Sequence, residues 1–400
     1  MVAISIVLLI PYEYFVKRYF IKKAKAKLAS LSHLKVIAIT GSFGKTSVKN
    51  YLYNILKNHY TVVMTPKSYN TAYGITKTIL NDLNCYVDYF ICEMGADRVG
   101  DIQKLCNIVT PNYAIITNIG RQHLDGFKSL NNIIKEKMYL YDVANKINIV
   151  TTLNCYNKHI FSYGKYCNKH ILKTTKKFYP NYTLVGYKFI LNNYIKCGND
   201  YYTYSVENMS LSGTTFKLFK NNKYVYTYAT KLVGVYNIQN LILAIAQAYV
   251  LGLTDANISY ALDNMYGVAA RMEESKKSNG GIIINNGYNS NIDSVKETIK
   301  ILNLYNDKSK IIITPGLIEL GKYQYQYNYE FGAICAKFAS TIYIVGNLNR
   351  DAITKGVQSV GNDTKVLCLH DKHERDKVLN NIKGNEVILL ENDLPSNYEV

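Results

Sequence analysis

Residues 36–47 read Val-Ile-Ala-Ile-Thr-Gly-Ser-Phe-Gly-Lys-Thr-Ser, and a stretch of this kind leaves the chain little conformational choice. A short apolar run suited to a buried strand meets a turn from Gly41 to Gly44. Lys45, Thr46 and Ser47 then open a helical pattern that runs to Leu56. A strand, a glycine turn and a helix N-terminus gather backbone N–H groups at the positive end of a helix dipole, which is an arrangement that cradles phosphate. Lys45 adds a charge for the outer phosphates, and the Thr46 hydroxyl is placed to ligate Mg²⁺. The full G-x-x-x-x-G-K-[ST] pattern asks for glycine at position 39, where Ile39 stands. The strand before the turn and the helix after it carry the reading, a site for a nucleoside triphosphate.

The rest of the chain is globular in composition, with 48% hydrophobic and 19% charged residues over 400 positions, enough for two or three domains with cores of their own. A net charge of +18 suits nucleic acid in principle. The basic residues are dispersed, however, and no nucleic-acid motif accompanies them. An anionic substrate or a membrane surface accounts for the sign equally well, and nucleic acid is not expected as a partner. The eight cysteines form no C-x-x-C pair and no metal-ligand spacing, so reduced, buried thiols are expected.

The N-terminus departs from this pattern. Residues 1–10 are almost wholly apolar, and a basic run of Lys17, Arg18, Lys22, Lys23, Lys25 and Lys27 follows. The apolar part is short for a bilayer span, which takes about 20 residues. The charge follows the apolar run instead of preceding it, unlike a secretory signal. Residues 1–33 therefore read as a partial or interfacial anchor, with the lysines against anionic lipid on the cytoplasmic side of the cell membrane. An amphipathic helix packed on the body of the protein, in a cytoplasmic chain, is the alternative.

Beyond residue 33 strands and helices alternate in α/β fashion. Strands are expected at 60–65, 86–93 and 113–118 and a helix at 75–83, with the continuous apolar runs of parallel strands covered on both faces. Residues 150–235 change character to short Tyr/Thr/Val runs split by Asn-Asn, Gly-Asn and Asn-Lys turns, an antiparallel extension, and 230–251 give a loop and a long apolar helix. A second strand–helix series fills 281–390. The expected organisation is an α/β central domain at 34–267, with a phosphate loop and a mostly parallel sheet, then a Rossmann-like C-terminal domain at 268–400.

Three further motifs sharpen the phosphate loop. Residues 92–96, Cys-Glu-Met-Gly-Ala, end a strand with Glu93. Residues 117–127 end another with Thr-Asn-Ile-Gly-Arg-Gln-His-Leu-Asp-Gly-Phe, and residues 234–240, Gly-Val-Tyr-Asn-Ile-Gln-Asn, precede the long helix. Strand ends are where α/β sheets meet their ligands. With 40–47, these segments resemble the Mur ligase superfamily, the ATP-dependent amide-forming ligases of cell-wall peptide assembly, in its MurF-like branch. Ala-Arg-Met-Glu at 270–273 and residues 288–294 match further family segments, and the resemblance runs from about residue 35 to the end.

That resemblance implies roles. Gly41, Ser42, Gly44, Lys45 and Ser47 belong to the phosphate loop. Thr46, Glu93 and His123 would ligate Mg²⁺ directly or through water, and a second Mg²⁺ is allowed for. Lys137 aligns with a lysine that many of these ligases carbamylate, although it also reads as an ordinary helix lysine. Asn237 and Asn240 would face the adenine, Arg271 would reach over the phosphates from the C-terminal domain, and Asn286 would stand beside the ribose. The partners implied are ATP and an anionic cell-wall precursor, whose carboxylate becomes an acyl phosphate that an amine attacks. D-Ala-D-Ala or a similar amine is expected.

Two departures bear on this. The family usually opens with a domain that grips a UDP-sugar, whereas some 33 membrane-seeking residues precede the loop here, so the expected acceptor is lipid-linked or not a UDP-sugar. The family's Asp-Asp is Asn285-Asn286, and Tyr236 replaces a histidine. A catalytically impaired, membrane-held nucleotide-binding protein is the second reading. A P-loop ATPase or kinase is a third, and it leaves Arg271 and the 288–294 segment without a role.

Overall fold

The computed structural model describes residues 2–144, 149–152, 195–197, 200–265, 267, 272–287 and 291–392. Arg271, Tyr288, Cys155 and Cys167 lie outside the described residues.

A long helix, α1 (Val2–Ser30), leads into β1 (Lys35–Thr40) and α2 (Lys45–Leu56). Then follow β2 (Val62–Met64), α3 (Ala72–Asp82), β3 (Tyr89–Glu93), α4 (Asp101–Ile108), β4 (Tyr113–Ile116), α5 (Leu124–Phe127), α6 (Leu130–Val143) and β5 (Ile149–Thr152). These strands pair in parallel in the order β2-β3-β1-β4-β5. The sheet continues in antiparallel fashion through β6 (Ile195–Cys197), β7 (Asp200–Ser210), β8 (Gly213–Lys220) and β9 (Lys223–Thr230). Two helices, α7 (Val235–Val250) and α8 (Asp255–Asp263), close this lobe.

β1 shows why its run is apolar throughout. Val36 and Ala38 join a core with residues of α3, α4 and α6, while Ile37 and Ile39 join another with α2 and α7. A strand covered on both faces cannot alternate polar and apolar residues. Ile39, fully buried, therefore fills the place where the full phosphate-loop pattern has glycine.

The second sheet has the order β10-β11-β15-β12-β13-β14, parallel except at β10. It comprises β10 (Glu273–Lys276), β11 (Ile282–Asn286), β12 (Ser309–Thr314), β13 (Thr341–Val345), β14 (Lys365–Leu369) and β15 (Glu386–Glu391). Its helices are α9 (Ile292–Leu302), α10 (Gln324–Ala336), α11 (Arg350–Gln358) and α12 (Lys372–Asn380). The architecture is α/β, with a mostly parallel sheet and antiparallel extension followed by a second, Rossmann-like sheet. An apolar cluster is shared by the two lobes and includes Leu124 and Phe127 of the first and Leu317 and Leu320 of the second.

α1 divides along its length. Ala24 is fully buried, Ile21 and Leu28 pack against the core, and Lys27 Nζ donates to Leu80 O of α3 at 2.7 Å. Earlier on the helix Tyr12, Phe15, Tyr19 and Phe20 are exposed. No helix among the described residues is long and apolar enough to cross a membrane. The thiols also divide: Cys92, Cys106, Cys197 and Cys335 are buried and free, whereas Cys85 and Cys368 are exposed, so burial holds for only some of the cysteines expected to be buried.

Candidate active site

The carboxyl ends of β1, β3 and β4 open into one cleft of about 370 Å³. Lys45, Thr46, Glu93, His123 and Lys137 all line it, although they come from four separate segments.

The phosphate loop is shaped by close contacts that only glycine permits. Gly44, the N-cap of α2, has φ 87°, and a Cβ there would lie 2.4 Å from Asn240 Oδ1. At Gly41 (φ 149°) a Cβ would lie 1.9 Å from Thr117 Oγ1. Lys45 folds back along the loop, donating to Gly41 O at 2.8 Å and Ser42 O at 3.1 Å. Ser42 lines the same cleft. Its N–H donates to Asn118 O, and its hydroxyl both donates to Gly120 O and accepts from Gly120 N, each at 3.0 Å. It ties the loop to the segment after β4. Ser47 is buried in the first turn of α2.

Glu93 ends β3 in full burial. Thr46 Oγ1 donates to its carboxylate at 3.1 Å, Asn70 Nδ2 at 3.1 Å, and Lys49 Nζ pairs with it at 2.9 Å. Burial works to raise the pKa, but the charges of Lys49 and then Lys45 outweigh it and hold the carboxyl below the usual range. Among the described residues no group of three or more His, Cys, Asp or Glu side chains could cage a cation. Mg²⁺ commonly takes one or two protein oxygens and completes its shell with water and substrate phosphate. The adjacent Thr46 hydroxyl and ionised Glu93 are hard oxygen donors that fit it.

His123 stands at φ 50° where α5 begins. Its Nδ1 meets Glu319 Oε2 at 2.5 Å, and its Nε2 lies 3.5 Å from Asp97 Oδ1. The hydrogen bond from His123 holds the Glu319 carboxyl low. Glu319 belongs to the other lobe, on a loop that buried amides grip from several sides. Asn328 Oδ1 accepts from Leu317 N at 2.8 Å, and its Nδ2 donates back to Leu317 O at 2.9 Å. Asn349 Nδ2 donates to Pro315 O at 2.9 Å, and Gln324 Nε2 donates to Asn349 Oδ1 at 2.7 Å. Sequence reasoning assigns Glu319 no role. The signal available was a Gly-bounded loop at the end of a strand.

Lys137 is buried, its Nζ 3.3 Å from Ala96 O and over the ring of Phe127. Burial, and then the charge of Lys45, push its pKa down to about 7. The neighbouring Glu136 accepts from Gly100 N at 2.8 Å and Ile102 N at 2.6 Å, a side-chain cap on the N-terminus of α4.

The two asparagines of α7 take different places. Asn237 accepts from Tyr51 OH at 3.0 Å and donates to Val233 O at 2.9 Å, so both ends of its amide are occupied within the protein. Asn240 is fully buried beneath Gly44, and neither amide atom has a partner among the described residues. Tyr236, where the resemblance leads one to look for histidine, packs its ring on Phe43 at 5.7 Å. Asn286 sits at the end of β11 and donates to both oxygens of buried Glu391, at 3.1 and 3.0 Å. An amide at 286 thus matches a carboxylate opposite it, where a second carboxylate would repel.

The family profile of the Mur ligase middle domain matches residues 39–248, more than half of the chain. The chain belongs to the Mur ligase family. A UDP-N-acetylmuramoyl-tripeptide–D-alanyl-D-alanine ligase of Buchnera aphidicola is 31% identical over 354 residues, which cover 87% of this chain and 69% of the relative. Among solved structures, MurF from Acinetobacter baumannii superposes with a TM-score of 0.75 at 21% identity, covering 94% of this chain and 77% of that one. MurF from Thermotoga maritima in complex with ADP gives 0.73 at 22%, covering 94% and 80%. These likenesses carry the fold. The chain is a MurF-like ligase, and Mur ligases use ATP and Mg²⁺.

Proposed function

We propose that this ligase activates the carboxylate of an anionic cell-wall precursor with ATP, as an acyl phosphate, and passes the acyl group to the amine of D-alanyl-D-alanine or a similar dipeptide. The observation that carries the proposal is the meeting of Lys45, Thr46, Glu93, His123 and Lys137 in one cleft.

The residues divide the work. The Gly41–Gly44 turn and the N-terminus of α2 would hold the phosphates through backbone N–H groups, and Lys45 would swing from the loop carbonyls to the outer phosphates. Thr46 and Glu93 would hold Mg²⁺, with His123 reaching it through water. The ion offsets repulsion between the anionic phosphate and the attacking carboxylate. Lys137, with its pKa near 7, is largely a neutral amine at mildly alkaline pH, the form that adds CO₂. The carbamate would be a new anion at the cleft wall, able to support a second Mg²⁺. Arg271 is assigned to the phosphates from the 268–400 domain, and closure of that domain on 34–267 would exclude water from the acyl phosphate. The exposed aromatic and basic residues of α1 support work at the cytoplasmic face of a membrane.

A coupled ADP-release assay tests the reading. ADP should appear only when a UDP-muramoyl-tripeptide or its lipid-linked counterpart and D-alanyl-D-alanine are both present, and Lys45→Ala should abolish it. ADP release that ignores the amine would overturn the ligase mechanism for this chain.

A further inference from the structure

Helices α1 and α3 lie together at their C-terminal ends, where Lys27 reaches Leu80 O and the small side chain of Ala24 is fully buried. Toward their N-terminal ends a groove of about 690 Å³ opens between them. On the α1 side it is lined by Val16, Phe20 and Ile21, and on the α3 side by Ala72, Thr76 and Leu80. The pattern on α1 explains it. The stripe that packs on the body through Ile21, Ala24 and Leu28 continues one and two turns earlier as Phe20, Lys17, Val16 and Glu13. There it faces the gap instead of protein.

Three observations say what fits the gap. Thr71 and Ala72, at the start of α3, line both this groove and the nucleotide cleft, so the two spaces adjoin. Thr76 Oγ1 is buried on the groove wall and has no hydrogen-bond partner among the described residues, a polar atom left for a ligand. Lys17, paired with Glu13 at 2.6 Å, and Lys77 stand beside the apolar side chains of Val16, Phe20, Ile21 and Leu80, a chemistry suited to a hydrocarbon with an anionic group.

We propose that the groove between α1 and α3 receives the hydrocarbon tail of a lipid-linked anionic acceptor, whose reacting carboxylate enters the adjoining cleft past Thr71 and Ala72. The proposal rests on the ligase reading above and names the class of acceptor. Tyr12, Phe15 and Tyr19 are exposed on the same stretch of α1 that borders the groove, an aromatic and basic surface suited to lipid. A tail drawn from that surface travels only along α1 to bring its headgroup to the catalytic side.

Farnesyl phosphate, a soluble anionic prenyl amphiphile, is the probe, titrated calorimetrically into the full chain. Saturable binding that excess inorganic phosphate does not displace is expected. Phe20→Asp, a change at an exposed position, should weaken it by about tenfold or more without lowering the melting temperature. In the ADP-release assay a prenyl-linked muropeptide should show a KM about tenfold below that of the UDP-linked form, and Phe20→Asp should erase the difference. Absent binding, displacement by phosphate alone, or binding indifferent to Phe20→Asp overturns the groove. So does a phosphatidylglycerol vesicle that competes as well as the prenyl-linked acceptor, since bulk lipid would then be the occupant. Turnover of the UDP-linked acceptor without farnesyl phosphate binding defeats this proposal and leaves the ligase intact. Binding without turnover of any acceptor supports an amphiphile groove and defeats the ligase reading.

Discussion

Lys49 Nζ lies 2.9 Å from Glu93 Oε2, and each side chain is only 1% exposed. Lys49 also donates to Lys67 O at 2.5 Å, so this cation is held in place before any metal arrives. A carboxylate taken this far from water persists as an anion only beside such a charge.

Lys49→Met should therefore cost about 3–5 kcal/mol of stability by stranding Glu93. Urea unfolding measures it, and the Lys49→Met/Glu93→Gln double variant should recover much of the loss. A deficit below about 1 kcal/mol, the range of exposed pairs, would show the ion pair to be inconsequential.

Glu93 also sets an acid limit. Its folded pKa is depressed, so the stability it contributes is present above the ordinary carboxylate range and is lost as pH falls through the lower, folded value. Lys137 has the opposite linkage. Its folded pKa of about 7 lies below the ordinary lysine value, so between the two the unfolded chain binds more protons and stability rises with pH. Lys137→Met should raise stability by about 2 kcal/mol at pH 6 and by little at pH 10, while turnover falls. Melting curves across that range decide it, and a gain that does not vary with pH would refute the buried-lysine argument.

The bond between His123 and Glu319 joins the two lobes. Glu319→Ala removes a charge-assisted hydrogen bond worth roughly 2 kcal/mol, and kcat should drop by at least about tenfold with little change in KM for ATP. Glu319→Gln, which keeps an acceptor, should recover part of the rate. Equal rates in the wild type and both variants would leave the contact without a catalytic role.

Asn286→Asp tests whether the amide is a defect or a fit. It would set two carboxylates against each other in a buried site, at a cost of about 3 kcal/mol. Adding Glu391→Gln should restore most of that in thermal unfolding. If the single change is neutral, Glu391 is not what selects asparagine.

Much of the site was legible because strand ends in an α/β sheet are few and polar residues there stand out. Residues 36–47 dictated strand, turn and helix, Glu93 closes β3, and His123 lies in the segment that follows β4. Lys49 escaped because a lysine one helical turn after Lys45 reads as a solvated face until the packing of α2 turns it inward. Glu136 escaped because the α4 N–H groups it caps lie far away in sequence. Glu319 escaped because nothing local links it to His123. Ser42 and Asn237 fit the family pattern, but only three-dimensional neighbours reveal that Gly120, Tyr51 and Val233 occupy their side chains.

The loop bearing Glu319 is gripped by Asn328, Asn349 and Gln324, whose amides carry no net charge. Neither acid nor salt weakens such a grip directly, whereas both act on the ionic clasp at its tip. Raising ionic strength should thus loosen one lobe from the other while the loop keeps its shape, a stiff pin in a joint whose tightness the solvent adjusts.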